Sequence, residues 1–183
     1  GINAALAVQG KEPFILKRSD GYIGVMIDDL VTKGTMEPYR LLTSRAEYRL
    51  LLRHDNADFR LTEMSREIGL VTEERYASFL EKKQAVEKEI ARLESTRLKP
   101  TEELQAFLAE QNSAPLKDGI LFADILKRPE LKYEGLIAFA PLEEALPKEV
   151  IKQVEVQIKY AGYIKKAVEK VDKLRKIKKK RIP

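Results

Sequence analysis

Three arginines at every fourth position, Arg45, Arg49 and Arg53, punctuate the stretch TSRAEYRLLLRHDNADFRLT (Thr43 to Thr62), and Arg40 stands just ahead of them. A guanidinium is a planar fork of five donors that matches a carboxylate or phosphate in two places at once, so a repeated set points to an anion. Two anions compete for it: the chain's own Glu47, Asp55 and Asp58, or a phosphate backbone from outside. A four-residue step returns a side chain to the same side of a helix and of a strand, so spacing alone does not choose the backbone. The neighbours favour a strand. Ala46, Tyr48, Leu50 and Leu52 fall on one face and Arg45, Glu47, Arg49, Leu51 and Arg53 on the other, the alternation of a half-buried strand.

A second cationic stretch lies at the far end. From Lys165 to Arg181 ten basic residues, among them Lys165, Lys166, Lys170 and Lys173, face only Glu169 and Asp172, a net +8. The whole chain carries +5, so everything else sums to −3 and the basic character belongs to one end. Such a segment either attracts a polyanion or solvates a helix terminus, where lysine is favoured by the macrodipole. Tyr39, Tyr48, Tyr160 and Tyr163 could stack on unpaired bases, although for each alone core packing is the better reading.

Other chemistry is thin. His54 is the one histidine and sits in HDNAD (His54 to Asp58), whose side chains suit turns and helix caps. Asp28 and Asp29, adjacent on a helix, point in different directions and have no further ligands nearby, which argues against a metal. With no cysteine there is no disulfide, thiolate site or cysteine nucleophile. No catalytic, cofactor-binding or metal-ligating residue is expected in this chain.

The elements that must position these groups read as helices. A helix remnant runs from Gly1 to about Gln9, Phe14 to Leu16 suits a short strand, and Ser19 or Asp20 can cap a helix from about Gly21 to Val31 with Gly34 beyond it. Thr62 can cap a short helix to Gly69, and Thr72 a long one through about Thr96 with Tyr76, Phe79, Val86, Ile90 and Leu93 along one stripe. Shorter helices follow from Pro100 or Thr101 to Glu110, Ile120 to Lys127 and Tyr133 to Ala140. Pro147 opens a segment running towards Lys179; VEVQIKY inside it alternates like a strand, but no turn bounds it and length favours helix. No apolar run approaches the ~18 residues of a membrane span. The chain opens without methionine inside a helical pattern, as a piece of something longer would.

The block GYIGVMIDDLVTKGTMEPYRLLTSRAEYRLLLRHDNADFRLTEMSREIGLV, with the later VEVQIKYAGYIKK and the opening GINAAL, resembles the GidA/MnmG family of FAD-dependent enzymes that modify the wobble uridine of certain transfer RNAs. The block from Asp20 to Thr62 is specific, whereas Thr96 to Leu146 adds little. The resemblance implies a mainly α fold, a helical C-terminal domain with long helices and a small remnant of the α/β flavin-binding domain, to which the alternation read above adds a short strand pair near 41–53. It divides the chain into the edge of the FAD-binding domain (1–35), an arginine-rich connection (36–61) and a helical tRNA- and partner-binding domain (62–183) truncated at its C-terminus, so that the chain as a whole would be cut at both ends.

In that family a cytoplasmic homodimer, working with the GTPase MnmE and using FAD, NADH and a folate one-carbon donor, adds a carboxymethylaminomethyl or aminomethyl group to C5 of the uridine. The flavin fingerprint and catalytic cysteines would lie upstream, so this piece alone would be inactive and would bind tRNA and MnmE. Arg40, Arg45, Arg49, Arg53, Lys159, Lys165, Lys166, Lys170 and Lys173 would meet the RNA, rather than being held by internal carboxylates. Relatives follow YAGYI with a basic residue and glutamine, where this chain has Lys165, Lys166 and Ala167. The competing reading is a helical interaction or oligomerisation module without RNA contact, its binding following positions such as Phe79 and Val154. A membrane-surface helix at the basic end is weaker, for want of aromatic anchors.

Overall fold

The computed structural model describes residues 1–178, with side chains as far as Lys173. The chain is mainly helical, and its described residues form two compact units, 1–79 with 163–178, and 80–162.

In the first unit α1 (Ile2–Val8), α2 (Tyr22–Thr32) and α3 (Ala57–Glu67) are joined by irregular chain. Gly34 follows α2 at φ +67°, the left-handed conformation expected just past a helix end. Val25 of α2 packs with Ala46, Tyr48, Leu52 and Val171 in one buried cluster. Three of the four residues assigned to the inner face of the 41–53 segment are thus inside, with Leu50 half-buried.

The backbone there is not a strand. Thr43–Arg45 is a single 3-10 turn, and the amides of Leu51 and Leu52 both donate to the Tyr48 carbonyl, at 2.9 and 3.0 Å. Backbone groups that find partners within a turn leave none for a ladder, so the expected strand pair near 41–53 is corrected to a turn-rich segment. Phe14–Leu16 is likewise irregular. α3 starts at Ala57 rather than after Thr62, because Arg60 holds the turn ahead of it: Nε donates to Asn56 Oδ1 (2.9 Å), Nη2 to the Arg53 carbonyl (3.0 Å) and Nη1 to the Asp20 carbonyl.

Two helices are shared between the units. α4 (Glu73–Ser95) begins as Thr72 Oγ1 accepts from the Arg75 amide, and its Phe79, Val86 and Leu93 are buried. α8 (Lys148–Lys178) runs as helix straight through VEVQIKY, as length required, from the Pro147 carbonyl that accepts from Val150 and Ile151.

The second unit contains the observed sheet, β1 (Arg97–Leu98) antiparallel to β2 (Ile120–Leu121), with Leu98 opposite Ile120. Around it lie α5 (Glu102–Glu110), capped by Thr101, then α6 (Phe122–Leu126) and α7 (Tyr133–Leu136), which a 3-10 turn extends to Phe139. The expected helix from Ile120 therefore opens as strand, where the Ile120 and Leu121 backbones pair with β1. Leu93, Leu104, Leu108, Phe122, Ile125 and Leu136 are completely enclosed. At roughly 1.5–3 kcal/mol for each such side chain, this core outweighs exposed pairs such as Lys127–Asp124. A buried polar knot joins α4 to α7: Tyr133 donates its hydroxyl to Glu89 (2.7 Å), which also receives Arg92 Nη2 (2.7 Å).

Candidate nucleic-acid interface

Asp29 falls four residues after Val25, on the buried side of α2, and its side chain is 3% exposed. A carboxylate in that position must be matched by cations and donors. Arg18 Nη1 reaches it at 2.7 Å, Lys33 Nζ at 2.9 Å, and the Tyr39 hydroxyl donates to it at 2.9 Å. The same guanidinium also takes Asp28 (3.0 Å), both oxygens of Glu47 (2.8 and 2.9 Å) and the Arg45 carbonyl (3.1 Å). Arg18 therefore ties α2 to the arginine-rich segment, and Asp28 and Asp29 are ion-pair partners. Among the described residues no group of three or more His, Cys, Asp or Glu is placed to hold a metal.

The network polarises its members. Lys33 above all, then Arg18 and Tyr39, hold the Asp29 carboxyl well below the usual range against the opposing effect of burial. Arg18 lowers Glu47 in the same way. A carboxyl with a depressed folded-state pKa gives stability that is full above its unfolded value, near about 4, and is withdrawn as pH falls below it. Thermal midpoints of the whole protein should therefore drop between about pH 4 and pH 2, and Asp29→Asn should flatten that decline while lowering the neutral-pH midpoint. Parallel profiles for the two proteins would show that Asp29 does not set the acid response.

Anchored by Asp29, the Tyr39 ring presents a face to Arg45, whose guanidinium carbon lies 4.8 Å from the ring centre. Residues 34–40, Leu42 and Arg45 border an open basin of about 380 Å³. Arg40, Arg45 and Arg49 are exposed, and none is ion-paired to a described residue. Arg53 differs: it binds Asp55 (3.1 Å) and the Leu50 carbonyl (2.7 Å). Of the lysines, Lys165, Lys166, Lys170 and Lys173 are exposed, whereas Lys159 turns inward, its Nζ on the Leu131 carbonyl (2.5 Å) and Glu155 (3.0 Å). Lys179, Lys180 and Arg181 lie outside the described residues, and for Arg175, Lys176 and Lys178 only the backbone is described. Tyr48 is in the core; Tyr160 and Tyr163 are exposed.

A family model described as the tRNA modifying enzyme MnmG/GidA C-terminal helical domain matches residues 73–167. The chain belongs to the MnmG/GidA family. MnmG of Enterococcus faecalis, a tRNA uridine 5-carboxymethylaminomethyl modification enzyme, is 71% identical across all of this chain, and that of Latilactobacillus sakei 63%. The solved form II structure of Aquifex aeolicus GidA superposes with a TM-score of 0.81 at 37% identity, covering 100% of this chain and 28% of that one. The chain spans 29% of the length of these curated MnmG relatives.

In this GidA-type region the residue that sequence reading missed is Arg18. Its signal was Asp29 itself, a carboxylate on the apolar face of a predicted helix, which calls for a cation from elsewhere.

Proposed function

We propose that this region binds and positions tRNA, and docks a protein partner, within a larger flavoenzyme that modifies C5 of the wobble uridine with a carboxymethylaminomethyl or aminomethyl group, together with the GTPase MnmE. One observation carries the reading: Arg40, Arg45 and Arg49 remain exposed while Glu47 and Asp55 are taken by Arg18 and Arg53. Family membership and the names of the relatives support the reaction class.

The work of these side chains is grip. Guanidinium forks fix phosphates, which set the position of the RNA rather than read its sequence, and so present a base that must leave its stack to react. Arg53 and Lys159, engaged internally, hold the scaffold instead. FAD, NADH and the folate donor belong to the whole enzyme, a cytoplasmic homodimer in this reading. The sheet among the described residues has two residues in each strand and no glycine-rich turn leading into a helix, so these residues do not fit a flavin. Nor is any described helix long and apolar enough to cross a membrane.

A second reading, protein docking without RNA, is favoured by the exposed apolar stripe Ile23, Ile27 and Leu30 on α2. Phe79 and Val154 are buried, so substitutions there would report folding rather than docking.

Titrating the whole protein with tRNA at several salt concentrations separates the readings. Each of Arg40→Gln, Arg45→Gln and Arg49→Gln should reduce the slope of log K against log salt by roughly 0.7–0.9, and the triple variant by about 2 to 3. An unchanged slope and affinity in a folded triple variant would remove the RNA reading and leave docking.

A further inference from the structure

We infer that the half of α8 beyond Gly162 carries a separate track for a single RNA strand, built from Tyr163, Lys166, Lys170 and Lys173. The inference rests on the RNA reading above and adds a second surface to it. Steps of three, four and three residues place these side chains within roughly 80° of the helix circumference. All four are exposed, and none of the three lysines is ion-paired to a described residue.

The arc is turned away from the core side of the helix. Val171, buried against Ala46 and Tyr48, and half-buried Ile164 lie about 130° around from its centre, so the lysines face away from the core. Asp172 falls outside it, on the side of Lys165, while Glu169 borders it, at i+3 from Lys166 and i−4 from Lys173, and is ion-paired to neither. Lys166 and Lys170 stand at i and i+4, where like charges repel and weaken a helix, and an outside polyanion would relieve that repulsion.

Three lysines whose Cβ atoms follow one another about 5–6 Å apart along one face can reach successive phosphates of one strand. The exposed ring at Tyr163, one turn before Lys166, offers an unpaired base a surface on which to stack. A membrane surface fits less well. An interfacial helix needs an open apolar face beside its cations, and here Val171 is engaged in the core.

The test uses the whole protein with three probes: single-stranded oligouridylate, a duplex RNA, and vesicles containing anionic phospholipid. Lys166→Gln/Lys170→Gln should lower the oligouridylate salt slope by roughly 1.4, at about 0.7 for each phosphate of a single strand that is no longer neutralised. Tyr163→Leu should weaken that binding roughly tenfold without changing the slope. Duplex RNA, which has no unpaired base to stack, should be insensitive to Tyr163→Leu. If the lysine pair leaves the slope unchanged while Arg40, Arg45 and Arg49 substitutions alter tRNA binding, the track is refuted and the RNA reading survives. If neither set matters, both fall. Loss of vesicle binding with RNA binding intact would make the arc a membrane surface and also refute the track.

Discussion

Replacing Arg18 with methionine is expected to cost the first unit about 3 kcal/mol, because it removes one of the two cations that face a buried carboxylate. Breaking a buried pair from one side typically costs about 3–5 kcal/mol, since the charge left behind keeps its desolvation penalty. Asp29 would retain Lys33 and Tyr39, and Lys33 is 67% exposed, which places the effect at the lower end. Glu47 would also lose its bidentate partner, but it is over one-third exposed and adds little. Urea unfolding of the whole protein, read by hydrogen exchange at amides of α2, measures the loss. Arg18→Met/Asp29→Asn should recover part of it, because no buried charge then lacks its partner. A loss under about 1 kcal/mol for Arg18→Met would mean that these ion pairs behave as ordinary surface pairs. The same variant should disturb Arg45, whose carbonyl is held by Arg18 and whose guanidinium rests on the ring that Asp29 anchors.

Gly24→Ala should be comparably damaging through a different cause. A Cβ at Gly24 would stand 2.2 Å from the Lys17 carbonyl oxygen and 2.9 Å from that of Leu16. Both obstacles are backbone, so no rotamer change relieves the overlap. α2 would have to lift away from the segment that delivers Arg18, at a cost of about 3 kcal/mol or more. Gly162→Ala provides the contrast: nothing lies within 4 Å of its Cβ position, and alanine should stabilise α8 by up to about 1 kcal/mol. Thermal melts of the two variants should move in opposite directions; a Gly24→Ala protein as stable as the wild type would show that α2 does not need this close approach.

Helix periods and caps were legible because they are local. Thr72 and Thr101 cap the helices their positions suggested, and α8 stayed helical where seven residues alternate like a strand. The alternation in 41–53 identified Ala46, Tyr48 and Leu52 as inward-facing, yet misjudged the backbone: burial records which side chains meet the core, and a turn can satisfy that as well as a strand.

By itself the sequence determined the helical class, the positions of the long helices, the two concentrations of positive charge and membership of a family through its motif block. Only the tertiary structure decided which cation meets which anion. Arg18 reaches Glu47 across 29 residues and Asp29 across 11, leaving Arg40, Arg45 and Arg49 exposed, while Lys159 is drawn onto the Leu131 carbonyl. Periodicity reports the face of an element on which a side chain stands. Long-range pairing depends on where the backbone brings distant segments together, and burial of Asp29 made that pairing obligatory for Arg18.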